Sequence, residues 1–506
     1  DVPITTTATN NIGVGSGAVD SITTGDYNVG VGVNALTATT EGGYNVAIGN
    51  EAMLANTTGG NNVSIGDSSM EANTTGNNNV AVGRGAFTVN TTGSANTAIG
   101  KGSLDANTTA NHNTALGYIA LGGNSTGIQN TALGSEALEN NTTANNNVAV
   151  GYNALKTNTT ASNNVAIGAN AMDANTTGDA NVSVGFESLK ANTTGTDNTA
   201  IGKESLKTNT TASNNTALGR QAMFYNTTGG NNVAVGFNAL KANTTASNNT
   251  AMGYIALTAN TTGYSNCAVG YSALNNATTG YKNTAVGQQA GTSQTDSVGG
   301  TYVGNEAGVA VTGGHNNSYV GNSAGYNTTT GSYNVCVGMQ THLDSATTSN
   351  GIAIGHNISA GSGTFRFGKP SNHVKNDFVS NASWTHSSDE RKKKDIANDT
   401  LGLNFINDLR TVTYKWKENK DFPETFDDYQ SGDDSDYENH MDTNVVMHGM
   451  LAQEVKAALD TAGVTTFGGW SEEKDGSQNI SREMFVIPLI KAIQELSAKV
   501  TALESE

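Results

Sequence analysis

The sequence predicts a mainly β protein: a parallel β-solenoid (β-roll) shaft of 17-residue coils, followed by a small α/β domain that ends in a coiled-coil helix. Three observations predict it. A motif returns every 17 residues, the charge composition changes near residue 388, and a heptad of apolar residues closes the chain. We expect residues 1–361 to form the shaft, 362–387 a connector and 388–506 the second domain.

The repeat is marked by Asn-Thr-Thr-Gly and its close variants. It begins at Asn56 and recurs every 17 residues through Asn260, and weaker copies extend the series from Thr5 to Ser345, giving about 21 units. Self-similarity at such a period is the signature of a solenoid, in which each coil contacts only its neighbours. A helical repeat is excluded because Gly, Asn and Thr occur in every unit.

Each unit contains the pattern of one coil. In Val-Ala-Val-Gly, residues 80–83, large and small side chains alternate, so Val80 and Val82 share one face and Ala81 the other. A second small–large pair, such as Ala137 and Leu138, predicts a second short strand, and the Asn-Thr-Thr-Gly segment is typical of turns. We expect two strands and two corners per coil, with the small Ala allowing another chain to approach closely. A coil with so thin a core favours oligomerisation.

The segments "NNVAIGANAM" (163–172) and "YNVAIGNEAM" (44–53) resemble the head repeats of trimeric autotransporter adhesins. The resemblance implies a left-handed parallel β-roll wound as a homotrimer. Similar repeats occur in bacteriophage tail fibres. The coil of the adhesins is usually shorter than the repeat of this chain.

Composition excludes several functions. Residues 1–387 contain 12 Lys+Arg and 19 Asp+Glu, whereas residues 388–506 contain 13 and 24, and the net charge of −18 argues against nucleic-acid binding. No apolar run reaches membrane-spanning length, so we expect no membrane insertion. Cys267 and Cys336 lie in different repeats without metal-ligand spacing, and we expect no disulfide framework, metal or cofactor.

The C-terminal part has mixed α/β patterning. "LRTVTYKWKE" (409–418) alternates like a strand, and "MHGMLAQEVKAAL" (447–459) is typical of a strand or turn that runs into a helix. The end of the chain predicts a coiled coil over 486–504 with the heptad positions Val486, Leu489, Ile493, Leu496, Val500 and Leu503. Its β-branched and leucine positions favour a parallel dimer, but the seam is short, and we expect the trimer implied by the shaft to prevail.

Three segments of this part resemble the endosialidase-type intramolecular chaperone of phage tailspikes and tail fibres. They are "SDERKKKDI" (388–396), "GMLAQEV" (449–455) and "VIPLIKAIQELSAKVTALE" (486–504). The resemblance implies a domain that assists trimer assembly and then cuts the chain between Ser387 and Ser388, with Ser388 as nucleophile and Lys393 as its basic partner. The family has an apolar residue before this lysine, whereas this chain has Lys392, so the base stays open among Lys392, Lys393 and Lys394.

The proposed cut makes demands on its residues. A serine hydroxyl needs a base, and a lysine can serve near neutral pH only when its pKa falls well below roughly 10.4. Residues five apart on a helix do not face each other, so Ser388 is expected before the helix, or the lysine comes from another chain. The local alternative is that Ser388 only caps a charged helix whose first turn holds Asp389 and Glu390.

These patterns predict a phage tail fibre, a receptor-binding protein of the virion that attaches to a host glycan or protein and joins other tail proteins through a region upstream of Asp1. One rival is a cell-surface trimeric adhesin, which needs a C-terminal membrane anchor. The other is a glycan-depolymerising tailspike, which needs clustered carboxylates or arginines, and residues 1–387 are poor in both.

Tyrosines gather in the last third of the shaft, and exposed aromatic rings suit contact with sugars. The candidates for receptor binding are Tyr264, Tyr271, Tyr281 and Tyr333. Tyr302 and Tyr319 occupy the strand position that usually holds Ala, and Tyr326 lies between Tyr319 and Tyr333. The alternative is that these tyrosines fill a widening core.

Overall fold

The computed structural model describes residues 7–370, 372–377, 384–385, 390–426, 429 and 443–505. Contacts divide the chain into two compact units, Asp1–His386 and Ser387–Glu506. Each unit is described by itself.

The first unit is a parallel β-solenoid, as the repeat predicts. One short strand lies in each coil and pairs in register with the equivalent strand of the next coil, for example Val148 with Val165. At a strand spacing of about 4.8 Å, the 21 rungs extend for about 100 Å. The rungs are Ile12–Val14, Val29–Val31, Val46–Ile48, Val63–Ile65, Val80–Val82, Thr97–Ile99, Thr114–Leu116, Thr131–Leu133, Val148–Val150, Val165–Ile167, Val182–Val184, Thr199–Ile201, Thr216–Leu218, Val233–Val235, Thr250–Met252, Cys267–Val269, Thr284–Val286, Thr301–Val303, Ser318–Val320, Val335–Val337 and Ile352–Gly355.

The strand faces are the reverse of our expectation. Ala81, at the centre of its strand, is fully buried, whereas Val80 and Val82 point outward and are partly exposed. The coil is so narrow that a large residue from the opposite side already fills the interior, and only a small residue fits across from it. Alternation fixes which residues share a face, but it does not say which face is inside.

The second side of the coil is not a strand, which corrects the prediction of two strands per coil. Glu136 (φ 59°) and Leu138 (φ 52°) take left-handed conformations, and Leu138 points into the core. The Glu136 amide donates to Tyr118 O in the preceding coil (2.9 Å), and the Leu138 amide donates to Ala154 O in the following one (3.0 Å). Gly134 (φ 137°) turns the corner before this segment, and a Cβ there would lie 2.5 Å from Gly151 O.

Two ladders of buried asparagines hold successive coils together. In the first ladder the Asn141 side chain donates to Asn124 Oδ1 (2.8 Å) and accepts from Asn158 Nδ2 (2.9 Å). In the second, the amide of Asn147 donates to Asn130 Oδ1 in the coil before (3.0 Å). The Asn of the Asn-Thr-Thr-Gly motif is therefore a core residue as well as a turn residue, which the turn interpretation missed. The first ladder comprises Asn56, Asn73, Asn90, Asn107, Asn124, Asn141, Asn158, Asn175, Asn192, Asn209, Asn226, Asn243 and Asn260.

The core changes near the C-terminal end of the solenoid. Tyr302 and Tyr319 replace the central Ala of their strands and are fully buried. Glycines make the room, since a Cβ on Gly308 would lie 2.4 Å from the Tyr302 ring and one on Gly325 would lie 2.3 Å from the Tyr319 ring. For these two tyrosines the core-filling alternative is correct.

An antiparallel ribbon follows the last rung. Thr364–Lys369 pairs in parallel with Ile352–Gly355 and antiparallel with Asn372–Asp377, which in turn pairs with Trp384–Thr385. A short parallel pair, His342–Leu343 with Ser359–Ala360, lies beside the last rungs. The ribbon covers one open edge of the ladder, where unpaired backbone groups would invite other strands.

The second unit is a small α/β domain, as predicted. Its core contains Leu401, Phe405, Val455, Leu459 and Phe485. Its elements are the 3-10 helix Glu390–Lys392, α1 (Leu403–Asp408), the paired strands Val412–Tyr414 and Met447–Gly449, the 3-10 helix Asn419–Asp421, α2 (Ala452–Thr461), the hairpin Trp470–Glu472 with Gln478–Ile480, the 3-10 helix Arg482–Phe485, and α3 (Val486–Glu504).

Candidate assembly, cleavage and attachment sites

One face of helix α3 packs against its own domain, and another is exposed to solvent in the single chain. Pro488 and Ala492 are its buried residues, and the Glu495 carboxylate accepts a hydrogen bond from the Leu403 amide at the start of α1 (2.8 Å). These contacts fix α3 against the domain core through a side that lies about 100° around the helix from the heptad positions.

The heptad positions are exposed. Ile493 is 65% exposed and Leu503 is 72% exposed, and Val486, Leu489, Leu496 and Val500 are also exposed. Six apolar side chains in heptad spacing on the outer face of one helix form the surface that buries itself in a coiled coil. We call this surface the heptad seam.

The segment that carries the predicted base is short and exposed. Glu390–Lys392 forms a single 3-10 turn, closed by a hydrogen bond from the Lys393 amide to Glu390 O (2.9 Å), so the charged helix expected here reduces to one turn. Lys392, Lys393 and Lys394 are all exposed. Ser387 and Ser388 lie outside the described residues, so the predicted pairing of Ser388 with Lys393 stays a prediction.

The outward face of the rung strands is an apolar surface that runs the length of the shaft. The third position of each rung is Val, Ile, Leu or Met, and the first is mainly Val or Thr. Leu116, Leu218 and Met252 are each between 44% and 47% exposed. We call these first and third positions the strand face. Large exposed apolar surfaces on soluble proteins mark interaction sites.

The shaft's two cysteines occupy opposite environments. Cys267 is the first residue of its rung, on the strand face, and is partly exposed. Cys336 is at the centre of its rung, fully buried, and burial raises the pKa of its thiol to about 12. The two thiols should therefore differ strongly in reactivity, because the thiolate is the nucleophile.

The predicted receptor-binding tyrosines are at the surface. Tyr264, Tyr271 and Tyr333 are exposed and Tyr281 is partly exposed, as is typical of rings available for contact. Tyr264 and Tyr281, from neighbouring coils, stack with ring centroids 4.7 Å apart. Nothing in these contacts identifies a receptor, and the assignment stays a prediction.

A second aromatic column, not predicted from the sequence, lies on the shaft. Arg220, Phe237, Tyr254 and Tyr271 occupy the same coil position in four consecutive coils, and the signal that could have revealed them is their 17-residue spacing. The Phe237 and Tyr254 rings stack at 5.2 Å, and Tyr254 and Tyr271 stack at 5.7 Å. The Arg220 guanidinium lies over the Phe237 ring at 5.7 Å.

Glutamates of the shaft form ion pairs with lysines of the same coil and of the neighbouring coil. Lys207 bridges Glu187 (2.7 Å) and Glu204 (3.2 Å), and hydrogen bonds from Lys190 and then Lys207 lower the pKa of the Glu187 carboxyl. Carboxylates held by lysines in this way link neighbouring coils. A catalytic pair for glycan hydrolysis would instead need one carboxyl kept protonated.

Two features are absent from the described residues. No helix among them is long and apolar enough to cross a bilayer. No group of three or more His, Cys, Asp or Glu side chains in the described ranges is arranged to hold a metal ion.

Residues 388–464 match the protein-family model described as "Chaperone of endosialidase". No curated protein and no solved structure matches the chain at a significant level. The C-terminal unit thus carries an intramolecular chaperone domain of the kind that implies trimer formation. Together with the 17-residue β-solenoid, this domain fits a tail fibre or tailspike with a C-terminal chaperone.

Proposed function

We propose that this chain is the shaft of a phage tail fibre that attaches to the host surface, with a C-terminal folding aid that assembles three chains and then cuts itself free. The observation that carries the proposal is the chaperone match, which begins at residue 388, after the near-identical coils of the solenoid and the ribbon that follows them. Such coils can pair in many registers, because any coil of one chain fits any coil of another. A domain that trimerises by itself removes that ambiguity.

The heptad seam supplies the contact that starts assembly. Its apolar side chains are solvent-exposed in one chain and would become buried between three helices. A charge at Ile493 would have to be desolvated in that position, which costs several kcal/mol per chain if the charge is retained. The exposed seam therefore supports α3 as the trimerisation element, with a neighbouring side of the helix held by the domain core.

The strand face supplies the contact between the shafts. Its third position is apolar in every rung, and association of three copies through this face would remove the exposed Val, Ile and Leu side chains from water. This replaces our expectation that the central Ala faces another chain, since that Ala is buried inside each coil. The interface between copies is then wide and continuous along the shaft.

The native Cys267 allows this arrangement to be tested by chemical cross-linking. A short bis-maleimide should join Cys267 of one copy to Cys267 of another, and the buried Cys336 should not react. Replacing Cys267 by Ser should abolish the product. As a matched control, Thr262→Cys in the Cys267→Ser background moves the thiol to an exposed position away from the strand face and should give no cross-link. Cross-linking from position 262 but not from 267 would place the interface elsewhere.

The cut is the second part of the proposal. Ser388 Oγ attacks the carbonyl carbon of Ser387 and its hydroxyl proton passes to Lys393. Lys393 then gives this proton to the Ser388 nitrogen as the Ser387–Ser388 peptide bond breaks, which leaves an ester and a free amine on Ser388. Water then hydrolyses the ester, which gives a carboxylate on Ser387 and restores the hydroxyl. A Ser–Lys pair is a known form of this chemistry.

The timing of the cut follows from exposure. A lysine accepts a proton near neutral pH only where burial or neighbouring positive charge disfavours its ammonium form. Lys393 is exposed in the single chain, so we infer that the other two chains supply the environment that activates it. The cut then follows assembly and makes it hard to reverse, since the shaft loses the element needed to realign its chains.

Variants separate the roles in the cut. Ser388→Ala should assemble and remain whole. Lys393→Ala should also block the cut, whereas Lys392→Ala and Lys394→Ala should slow it. The measurement is the intact mass of each purified chain. Processing of Ser388→Ala at the parent's rate would overturn the assignment of the nucleophile, and a block in Lys392→Ala alone would move the base to that residue.

A further inference from the structure

The charge of the shaft is divided along its length. Residues 1–204 contain 15 Asp+Glu and 5 Lys+Arg. Residues 205–295, which span about five coils, contain no Asp or Glu at all. Their cations are Arg220, Lys241 and Lys282, besides Lys207, which is paired with Glu187 and Glu204. A positive segment of this length stands out in a chain whose net charge is −18. We call residues 205–295 the acid-free segment.

The same segment concentrates aromatic side chains at the surface. It contains seven Phe and Tyr residues, namely Phe224, Tyr225, Phe237, Tyr254, Tyr264, Tyr271 and Tyr281. Tyr254 is 50% exposed and Tyr271 is 48% exposed. None of the seven is among the fully buried core residues, so they do not fill the interior of the coils.

Cations and rings are combined in ordered columns. Arg220 lies over Phe237, which begins the stack with Tyr254 and Tyr271, and Lys282 lies 5.9 Å from the centroid of the Tyr281 ring. Among the described residues no carboxylate forms an ion pair with Arg220, which is exposed. A guanidinium held over a ring keeps the N–H donors of its edge available for a carboxylate.

We propose that the acid-free segment binds an acidic polysaccharide, which lies along the shaft over the column Arg220–Phe237–Tyr254–Tyr271. This deepens the proposed attachment function and rests on it. A polymer suits the site because each coil presents its group at the same position, one strand spacing of about 4.8 Å after the last. Arg220 attracts the carboxylates, and the tyrosine hydroxyls at the rim of the stack donate hydrogen bonds.

The column is less suited to nucleic acid. Proteins that hold single strands stack successive bases on open aromatic faces and track the phosphates with many cations. Here the inner ring faces are covered by the neighbouring rings, and four cations serve about five coils. The edges and hydroxyls that remain exposed favour hydrogen bonding to a sugar polymer.

The test is binding of the trimeric fibre to immobilised polysaccharides. The probes are polysialic acid, hyaluronan and alginate as acidic polymers, dextran as a neutral polymer, and a single-stranded oligonucleotide. We expect binding to at least one acidic polymer, weakened by added salt, with little binding to dextran or to the oligonucleotide. Binding to none of the acidic polymers, or stronger binding to the oligonucleotide, overturns the proposal.

Matched variants locate the site. Arg220→Gln with Tyr254→Ala should lower the affinity for the acidic polymer about tenfold or more, because the polymer loses a hydrogen bond between charged groups and a tyrosine hydroxyl. Arg84→Gln with Tyr152→Ala changes the same coil position outside the acid-free segment and should leave binding unchanged. Equal losses in the two double variants would overturn the proposal, once sedimentation shows both to be assembled.

A cell assay separates this inference from the proposed function. If the fibres adsorb to host cells but bind no acidic polymer, the proposed attachment function is supported and the proposed acidic ligand is wrong. If the fibres bind the polymer through Arg220 and Tyr254 but adsorb to no cell that displays it, the binding site is supported and its role in attachment is wrong.

Discussion

The first asparagine ladder can be tested by removing one rung. In Asn141→Ala the chain loses the hydrogen bonds that Asn141 donates to Asn124 Oδ1 (2.8 Å) and Ala144 O (3.2 Å), and the one that it accepts from Asn158 (2.9 Å). The Asn124 side-chain oxygen is then buried without its donor. Asn158 keeps its bond to Ala161 O, and Ala144 O keeps the bond from Asn130.

The magnitude follows from these losses. A neutral hydrogen bond contributes about 1 kcal/mol net, and a buried polar atom left unpaired costs about 1–3 kcal/mol. We therefore expect the free energy of local opening of the coil that contains Asn141 to fall by about 3 kcal/mol. Because a solenoid coil interacts only with its neighbours, the effect should stay within one or two coils on either side.

Hydrogen exchange followed by mass spectrometry measures this local opening in the full chain. A change of about 3 kcal/mol corresponds to roughly hundredfold faster exchange of the protected amides in coils 124–158. Asn140→Ala is the control, because Asn140 is the adjacent residue of the same type and is exposed. Unchanged exchange in Asn141→Ala, or equal acceleration in Asn140→Ala, would refute the reasoning that the ladder holds the coils together.

Three further predictions concern other parts of the chain. Ile493→Asp should impair trimer formation in sedimentation, whereas Ile493→Val should change it little; equal assembly of both would remove the role of the heptad seam. Tyr302→Ala should leave a cavity that lowers the free energy of unfolding of the shaft by about 3–5 kcal/mol, and its melting temperature should fall. Tyr333→Ala, at a position that is 61% exposed, should not lower the melting temperature. Burial raises the pKa of Cys336 to about 12 and also raises the pKa values of Tyr302 and Tyr319, so the protonated forms stabilise the fold. Stability should be full below about pH 9 and decrease as the pH rises towards 12, with coils 301–337 opening first in hydrogen exchange; simultaneous opening of all coils would contradict this.

The period of the repeat was sufficient to predict the solenoid. Its constant length sets the register of every rung, since Val148 can only pair with the equivalent Val165 if each coil has the same number of residues. The heptad spacing likewise predicted the helix Val486–Glu504 with both of its ends. These features are periodic, and periodicity is what sequence patterns report directly.

Orientation within the coil could not be predicted in this way. Whether Ala81 or Val82 faces inward depends on how much space Leu and Asn from the other sides of the coil leave, which is a property of the closed coil. The left-handed conformation of Leu138 is equally hidden, because a bulky residue seldom takes it without support from neighbouring coils. The pairing of Ser388 with Lys393 remains a prediction for a related reason, since we infer that three chains complete it.

The order of assembly and cutting is the central claim, and native mass spectrometry of the parent and of Ile493→Asp tests it most directly. We predict that parent trimers contain chains cut into residues 1–387 and 388–506, and that the Ile493→Asp chain stays both unassembled and whole. Parent trimers built from whole chains, or an unassembled Ile493→Asp chain cut between Ser387 and Ser388, would contradict the account.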